Sequence, residues 1–577
     1  MTLDGLTLNA VISELKQTII GAKVQKVGMP GKEEINLALY SPGFGNLILK
    51  ISADAGDCSI YITKTARQNP KIAKSFCMLL RKYLIGARII DIEQSGLNRV
   101  VKISFAAKDE LLREITLYLI IEIMGKYSNI ILTDANYKIL DSIKKVSADV
   151  SGLRQILPGL IYTEPPQKKY NPSSLSLTTL TELLQTKKDT KIAVYLTDIF
   201  DGISMQTAKE ILTRSGLEKE YTSELNEHAA KRLAGEVKDF FEKAKSETNP
   251  VLQLNDENIP VFFSCVPYET YPEETRMFFN TANEMLDFYY QTRSDYYSLI
   301  QQKESLIKTL EKSLAKLEKR IKIYRSGIED AARADKIQKR ADAIIANLYR
   351  LKKGMKDFES IDYETGTTVR VDLDLSMTPQ ALAQKLYKKI AKYKKAAQLN
   401  REKLSDALEE KDFLNGTILF AENAESSAEI AEIKQTLTDT GYISSPTKNK
   451  KAVNIDSEPL SFTTPGGYTV LVGKNDRQNE RLTHHTAGKD DIWFHTQKIP
   501  GSHVILFAKG KDLNDIEDEA IEFAASLAAH YSRAKQSGKT AVDYTQRKNI
   551  KKPPVSRPGK VIYDNYFTLY TDPWQPK

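Results

Sequence analysis

Five of the six histidines in this chain fall between His484 and His530, the first place to look for a metal site or a general base. His484 and His485 are adjacent and cannot share one helical face. Neither His495 nor His503 has a partner three or four residues away, the spacing by which a helix offers two ligands to one ion. The segment holds no cysteine. These histidines are expected to be hydrogen-bonded or, at His495 and His503, to face RNA, and no metal is expected. Nucleophile and nucleotide signatures are also missing: there is no G-x-S-x-G elbow, no Walker A loop and no dinucleotide glycine fingerprint. The chemistry that remains is binding, with no catalytic residue and no cofactor expected.

Phosphate binding needs local density of Lys and Arg rather than a global excess. Lys385, Lys388, Lys389, Lys392, Lys394 and Lys395 crowd one segment; Arg547, Lys548, Lys551, Lys552, Arg557 and Lys560 crowd another around Pro553-Pro554. Lysines on a helical face are commonly a solvated surface. In a proline-bearing loop such charge has less structural purpose, so Lys551, Lys552 and Arg557 are candidate RNA contacts. Tyr544, Tyr563, Tyr566, Tyr570 and Trp574 lie nearby, able either to stack on bases or to pack a core. A third feature is Phe200-Asp201-Gly202-Ile203-Ser204, followed by Thr207-Ala208 and Ile211-Leu212 and ending at Ser215-Gly216-Leu217. A glycine turn leading into a polar-capped helix has the shape of a helix-hairpin-helix. Its backbone N–H groups at Gly202 and Ser204 serve either phosphate contact or helix packing.

The elements that must carry these groups divide the chain. Residues 1–170 combine helices over Leu8–Ile20 and Ile72–Leu84 with strands Asn46–Ile51, Ser59–Thr63, Arg88–Ile92, Val100–Phe105, Ile115–Ile123 and Asn129–Leu132. Short strands in succession imply an antiparallel layer. Pro158, Pro165, Pro166 and Pro172 mark a boundary. Residues 173–245 are helical, and 246–294 form a connector. Ile300, Ile307, Leu314, Ile321 and Ile328 recur every seven residues, with Leu310, Leu317 and Tyr324 between them and Lys303 as the exception. This is a coiled coil over 295–335, roughly 40 Å or longer. An insert over 336–380 contains the alternating Val369, Val371, Leu373 and Leu375. A second seam through Leu386, Ile390, Tyr393 and Ala397 gives a returning helix over 381–430. A polar linker is expected over 431–457. The last domain, 458–577, has strands Tyr468–Val472, His503–Phe507, Val561–Tyr563 and Thr568–Tyr570 and one helix near Ile516–Ser537. The fold class is therefore multidomain α+β: a mixed N-terminal domain, a helix-hairpin-helix, an antiparallel helical arm with a small insert, and a β-rich α+β C-terminal domain.

The totals agree. At 577 residues the chain exceeds one hydrophobic core. The formal net charge of +8 is too small a surplus to identify a nucleic-acid binder by itself. Three scattered cysteines, Cys58, Cys77 and Cys265, support neither a disulfide framework nor a four-cysteine zinc site. No apolar run is long enough for a membrane span and no secretory leader is visible, so a cytoplasmic protein is expected.

The domain order, with Met1-Thr2-Leu3-Asp4-Gly5, Glu122-Ile123-Met124-Gly125-Lys126-Tyr127-Ser128-Asn129-Ile130, Gly473-Lys474-Asn475-Asp476-Arg477-Gln478-Asn479-Glu480, Asp491-Ile492-Trp493-Phe494-His495 and Ile499-Pro500-Gly501-Ser502-His503-Val504, resembles the NFACT family over nearly the whole chain. The resemblance implies a factor in ribosome quality control with no enzyme activity of its own. Such a factor binds large ribosomal subunits obstructed by peptidyl-tRNA and recruits tRNA, alanyl-tRNA in bacteria, for template-free C-terminal alanine tailing that marks stalled chains for degradation. Its partners would be the stalk base and rRNA of the large subunit, tRNA and associated quality-control factors. On the same ground Asp4, Asn98, Arg99, Glu122, Lys126, Ser128 and Asn129 are expected to serve tRNA, and Lys474 and Arg477 to contact RNA. The family carries an Asp-Arg pair where this chain has Asn98-Arg99. Arg99 keeps the planar donor fork. Asn98 keeps an acceptor and gains a donor but loses the charge. That change is neutral for a single accepted hydrogen bond and costs about 1–3 kcal/mol for a bidentate ion pair.

Two other function classes compete. Members of this family are also described as fibronectin-binding surface proteins. The N-terminal domain further resembles the fold of formamidopyrimidine-type DNA glycosylases, which act through an N-terminal Pro-Glu pair; Thr2 and Leu3 stand there in this chain.

Overall fold

The computed structural model describes all residues except 1–2, 150–151, 153, 167–168, 186–188, 218–220, 362–365, 445–456, 555–556 and 576–577, together with the side chains of 330–333. The chain forms two compact units, Met1–Tyr296 and Tyr297–Lys577.

In the first unit, α1 (Gly5–Ile19) begins where the Asp4 carboxylate accepts the Thr7 N–H at 2.8 Å, satisfying one donor of the first turn. Its stripe of Leu8, Val11, Ile12, Leu15 and Ile19 is buried. Then come β1 (Lys23–Gly28), β2 (Glu34–Ser41), β3 (Gly45–Ser52), β4 (Ser59–Thr63), α2 (Ser75–Leu84), β5 (Arg88–Gln94), β6 (Val100–Lys108), β7 (Glu114–Glu122), β8 (Asn129–Asp134) and β9 (Ile139–Ser142). All nine strands form one antiparallel sheet in the order β4-β3-β2-β1-β5-β6-β7-β8-β9. The antiparallel layer and both helices agree with the sequence reading, whereas β1, β2 and β9 were not expected. β1 (Lys-Val-Gln-Lys-Val-Gly) and β9 (Ile-Leu-Asp-Ser) have too few apolar residues to announce a strand, and pairing with their neighbours supplies what pattern does not. The register matters for function. Val100 pairs with Glu122 and Glu122 with Asn129, so the 95–99 loop lies beside the β7–β8 hairpin end, where Ile123 N–H donates to Arg99 O at 2.8 Å.

Four helices follow: α3 (Leu177–Leu184), α4 (Ile192–Ile199), α5 (Met205–Arg214) and α6 (Glu227–Ser246). Phe200–Ser204 turns between α4 and α5, with Gly202 at φ +81. Ser204 and Thr207 close a reciprocal capping box on α5. The expected connector 246–294 is instead a folded piece. β10 (Val251–Leu254), β11 (Pro260–Ser264) and β12 (Arg276–Phe278) make a three-stranded sheet, and α7 (Ala282–Ala346) starts within it. Gln253, Phe262 and Phe263 are buried, which a connector's residues would not be.

In the second unit, α7 pairs with α8 (Pro379–Asn423) in antiparallel fashion. Leu310, Leu317 and Ile321 share a core with Ala407, Leu414 and Ile418, and Ile344 meets Leu382. The expected end of the first coil helix at 335 is corrected: α7 runs on to Ala346, because Ala334 and Ala341 pack on Ile390 and a small-residue seam replaces the heptad one. The insert at the end of this pair is a β13 (Asp357–Ile361) and β14 (Thr368–Asp372) hairpin. The linker expected over 431–457 is also corrected. Its first nine residues belong to α9 (Ser427–Asp439), whose Ile430, Ile433 and Leu437 are buried against the coil. Residues 445–456 of that linker lie outside the described residues.

The C-terminal domain contains β15 (Leu460–Thr463), β16 (Thr469–Val472), α10 (Asp476–Arg481), β17 (Ile492–Thr496), β18 (Val504–Leu506), α11 (Asp518–His530), β19 (Thr540–Gln546), β20 (Ile550–Lys551), β21 (Ile562–Tyr563) and β22 (Phe567–Thr571). A six-stranded sheet, β15-β16-β18-β17-β19-β22, packs on α11, which ends seven residues sooner than expected.

Candidate nucleic-acid interface

Three backbones converge in the first unit. A Cβ on Gly5, the first residue of α1, would overlap the Leu97 carbonyl oxygen and come within 3.1 Å of Gly202 Cα. A Cβ on Gly202 would lie 3.0 Å from Leu97 and 3.2 Å from Phe241. Glycine is thus required at both positions by close approach, and at Gly202 by φ as well. The convergence brings together the N-terminus of α1, the 95–99 loop and the helix-hairpin-helix turn around a cavity of about 810 Å³. Asp4, Asn98, Arg99, Gly202 and Ser204, named from three distant parts of the sequence, all line it.

Asp4 couples two helix starts. One oxygen caps α1; the other accepts from Thr207 Oγ1 at 3.3 Å, and Thr207 in turn lies 2.9 Å from the Tyr268 hydroxyl. Burial raises the Asp4 carboxyl above its ordinary range, against the opposing pull of these hydrogen bonds and of Arg99. Asn98 Oδ1 accepts the Arg99 N–H at 3.1 Å, while its Nδ2 is buried without a partner. The Arg99 guanidinium makes no hydrogen bond or ion pair among the described residues, although Asp4 and Asp201 both lie within its electrostatic reach. Burial raises Asp201 too, with Lys169 and Arg99 opposing. A buried unpaired donor is unfavourable unless something brings an acceptor to it, and the half-buried guanidinium beside it is free to take one as well. The two helix N-termini add N–H groups and the positive ends of their dipoles.

The remaining expected tRNA residues separate into two kinds. Glu122 is 1% exposed. It forms a two-pronged ion pair with Arg154 and accepts from the Tyr162 hydroxyl at 2.9 Å. Ser128 Oγ accepts the Met124 N–H; Asn129 accepts from the N–H groups of Ile130 and Lys144 and donates to Lys144 O. These three hold the 124–128 turn and are closed within the protein. Lys126 and Tyr127, at the tip of that turn, are exposed, with the ammonium 4.9 Å from the ring centroid. Met124 of the same turn lines the cavity.

Sequence reasoning missed Lys169, Asp201, Pro165 and Pro166. Asp201 was in the quoted turn beside Gly202, and the two prolines, read as a boundary, wall the cavity.

In the second unit, the expected RNA contacts are largely engaged at home. Lys474 pairs with Glu429 at 2.8 Å and Arg477 with Asp439, both on α9, while Asn475 donates to Glu432 at 2.6 Å. The Gly473–Glu480 motif thereby clamps α9. Lys552 pairs with Glu480, and Lys551 lies 3.4 Å from Asp564. His503 is buried, with Nδ1 2.7 Å from Thr483 Oγ1. His495 stacks on Trp493. Burial holds both imidazoles below their ordinary range.

The chain matches the family description "NFACT N-terminal and middle domains" over residues 4–454 and "NFACT protein RNA binding domain" over 459–565. It is 32% identical to the Rqc2 homolog RqcH of Streptococcus suis, covering 100% of this chain and 99% of that protein. It is also 32% identical to the Rqc2 homolog RqcH of Bacillus subtilis, covering 99% and 98%. Among solved structures, the N-terminal part of the fibronectin/fibrinogen-binding protein from Streptococcus suis is 32% identical and covers 50% of this chain and 99% of that one, with a TM-score of 0.42.

Proposed function

The chain belongs to the NFACT family, and from that premise we propose that it is a ribosome quality control factor that binds obstructed large ribosomal subunits and recruits tRNA to them. The observation that carries the tRNA part is the cavity of the first unit, where Arg99 and Asn98 Nδ2 have no acceptor among the described residues and stand beside two helix N-termini. Arg99 supplies a planar fork to a phosphate or a guanine edge. Asn98 donates to a neighbouring acceptor, and the Gly202–Ser204 turn cradles a second phosphate. Lys126 and Tyr127 provide an ammonium and a stacking face at the rim.

The protein makes no bond itself on this reading. It positions alanyl-tRNA on a large subunit that still carries peptidyl-tRNA, and the subunit's own peptidyl-transfer centre adds alanine residues without a template. The helical arm of α7 and α8 contacts the stalk base and rRNA, and the protein works in the cytoplasm alongside other quality-control factors. Among the described residues no helix is long and apolar enough to cross a membrane. On this reading the N-terminal sheet is used for binding rather than for glycosylase chemistry.

The test is to purify the full chain at low salt and sequence its RNA for wild type, Arg99→Ala and Asn98→Asp. Alanine-acceptor tRNA is expected to be enriched in wild type and in Asn98→Asp. Arg99→Ala should lose that enrichment while keeping large-subunit rRNA. Only bulk, unselected RNA in the wild type refutes the proposal.

A further inference from the structure

A different cavity, of about 770 Å³, lies within the second unit between one face of α8 and residues 476–503 and 557–560 of the C-terminal domain. Its size is in the range that holds a small organic ligand. Its lining includes Arg557, an unusual group to find idle. The guanidinium lies over the Phe413 ring at 5.0 Å and near the Tyr442 ring at 5.9 Å, and Nη1 is buried without a hydrogen-bond partner among the described residues. Aromatic cover on a planar cation leaves its N–H edge to make hydrogen bonds, the geometry that suits an oxyanion. No ion pair to Arg557 is formed among the described residues, although Asp476 is within electrostatic reach.

Four acidic side chains line the wall, and one of them, Asp406, is exposed on α8. Glu409 is paired with Lys560 at 2.6 Å. Burial raises the Asp412 carboxyl above its ordinary range, and it raises Asp476 to about 7, so that Asp476 is partly protonated near neutral pH. Arg557 and the exposed Lys498 then remain to meet an anion. Flat or apolar groups supply much of the remaining lining, Phe420, Ile499, Pro500 and Pro558 with the His495 and His503 rings, beside the polar Thr440 and Asn479. Burial holds both imidazoles below their ordinary range, and with His503 Nδ1 taken by Thr483 Oγ1 that ring keeps only its Nε2 for a ligand. Such groups can read the edge of a heterocycle without adding charge.

We propose that this cavity binds a single nucleotide, with Arg557 anchoring the phosphate and the base lying against Phe420, Pro500 and the histidine pair. The nucleotide is either free or the phosphorylated end of an RNA strand. The proposal is independent of the tRNA cavity in the first unit and places a site in the domain whose family description is RNA binding.

The experiment is calorimetric titration of the full-length protein with AMP, GMP, CMP and UMP, with inorganic phosphate, and with a tetranucleotide bearing or lacking a 5′-phosphate. Wild type is expected to bind at least one mononucleotide, or the phosphorylated tetranucleotide, at least tenfold more tightly than inorganic phosphate. Tighter binding of the phosphorylated tetranucleotide than of any mononucleotide identifies an RNA end as the source, and the reverse order identifies the free nucleotide. Arg557→Gln should weaken binding at least tenfold, whereas Gly235→Ala, with nothing within 4 Å of its new Cβ, should leave it unchanged. If Arg557→Gln does not fold, Lys498→Glu, a change at an exposed position, should weaken binding at least threefold. The proposal is overturned by no binding of any mononucleotide or phosphorylated tetranucleotide at millimolar concentration, by equal binding of inorganic phosphate, or by affinities that neither Arg557→Gln nor Lys498→Glu alters.

Discussion

Adding one methyl group at Gly5 should damage both stability and tRNA binding, whereas the same change at Gly235 should not. At Gly5 the new Cβ would overlap the Leu97 carbonyl oxygen, lie 3.0 Å from Leu97 C and approach Gly202 Cα to 3.1 Å. All three are backbone atoms of other elements, so no rotamer change relieves the clash. Overpacking a tight site costs about 1–3 kcal/mol, and a backbone obstacle places Gly5→Ala at the upper end, about 3 kcal/mol. For a unit of this size that lowers the thermal midpoint by roughly 6–12 °C, at about 2–4 °C per kcal/mol. Gly235 sits within α6 with nothing within 4 Å of its would-be Cβ, so Gly235→Ala should stabilise by about 0.5–1 kcal/mol through backbone entropy. Urea unfolding read by circular dichroism gives the two signs, and filter binding of tRNA at fixed salt reads the cavity. Because the clash separates the α1 terminus from the 95–99 loop and the 200–204 turn, Gly5→Ala should lose tRNA affinity even at temperatures where it is folded. A Gly5→Ala protein with wild-type midpoint and wild-type tRNA affinity would refute the convergence of three backbones as the basis of the site.

Other changes have equally definite outcomes. Arg99→Ala removes a guanidinium with no hydrogen bond or ion pair among the described residues, so denaturant midpoints should stay within about 0.5 kcal/mol of wild type while tRNA affinity falls about tenfold or more. Arg154→Ala strands the buried Glu122 carboxylate and should cost about 3 kcal/mol by urea unfolding, and Glu122→Gln with Arg154→Met should recover much of that loss. Burial raises the Asp476 carboxyl from 3.8 to about 7 with Glu480 adding and Arg557 opposing, so the folded state holds this proton where the unfolded chain has released it. The contribution of Asp476 to stability therefore falls as pH rises from 3.8 to about 7 and is level above that. Asp476→Asn should flatten this slope in a pH series of unfolding midpoints and exceed wild type at pH 8 by at most about 4 kcal/mol, at ~1.4 kcal/mol per pH unit.

Much of this architecture was legible because period and punctuation carry it. The β6–β8 strands show dense apolar runs, and the Gly202–Ser204 turn shows its cap three residues before Thr207. The coil shows its heptads until Asp335, where alanines replace the leucines and the helix continues on packing that pattern does not register. The 251–278 sheet and α9 escaped because each is short and stabilised by partners remote in sequence. The candidate site was legible in part. Asp4, Arg99 and Gly202 could be named separately, but their meeting depends on the β6–β7 register and on two glycine contacts that no local signal encodes. Glu122, Ser128 and Asn129 were named for tRNA because they share one motif with Lys126. Burial shows that they hold the turn while Lys126 and Tyr127 face outward. Basic residues at 474, 477 and 552 looked available because their acidic partners at 429, 439 and 480 are unremarkable in sequence.

The central claim is tested most directly by co-sedimentation of the full-length protein with purified large ribosomal subunits carrying peptidyl-tRNA, at two salt concentrations and with added alanyl-tRNA. The expected result is migration with the large subunit, alanyl-tRNA retained in the same fraction, and retention that falls steeply with salt, as phosphate contacts require. Arg99→Ala should still sediment with the subunit but leave the tRNA behind. Wild-type protein that stays at the top of the gradient, or a subunit fraction with equal tRNA for wild type and Arg99→Ala, would contradict it.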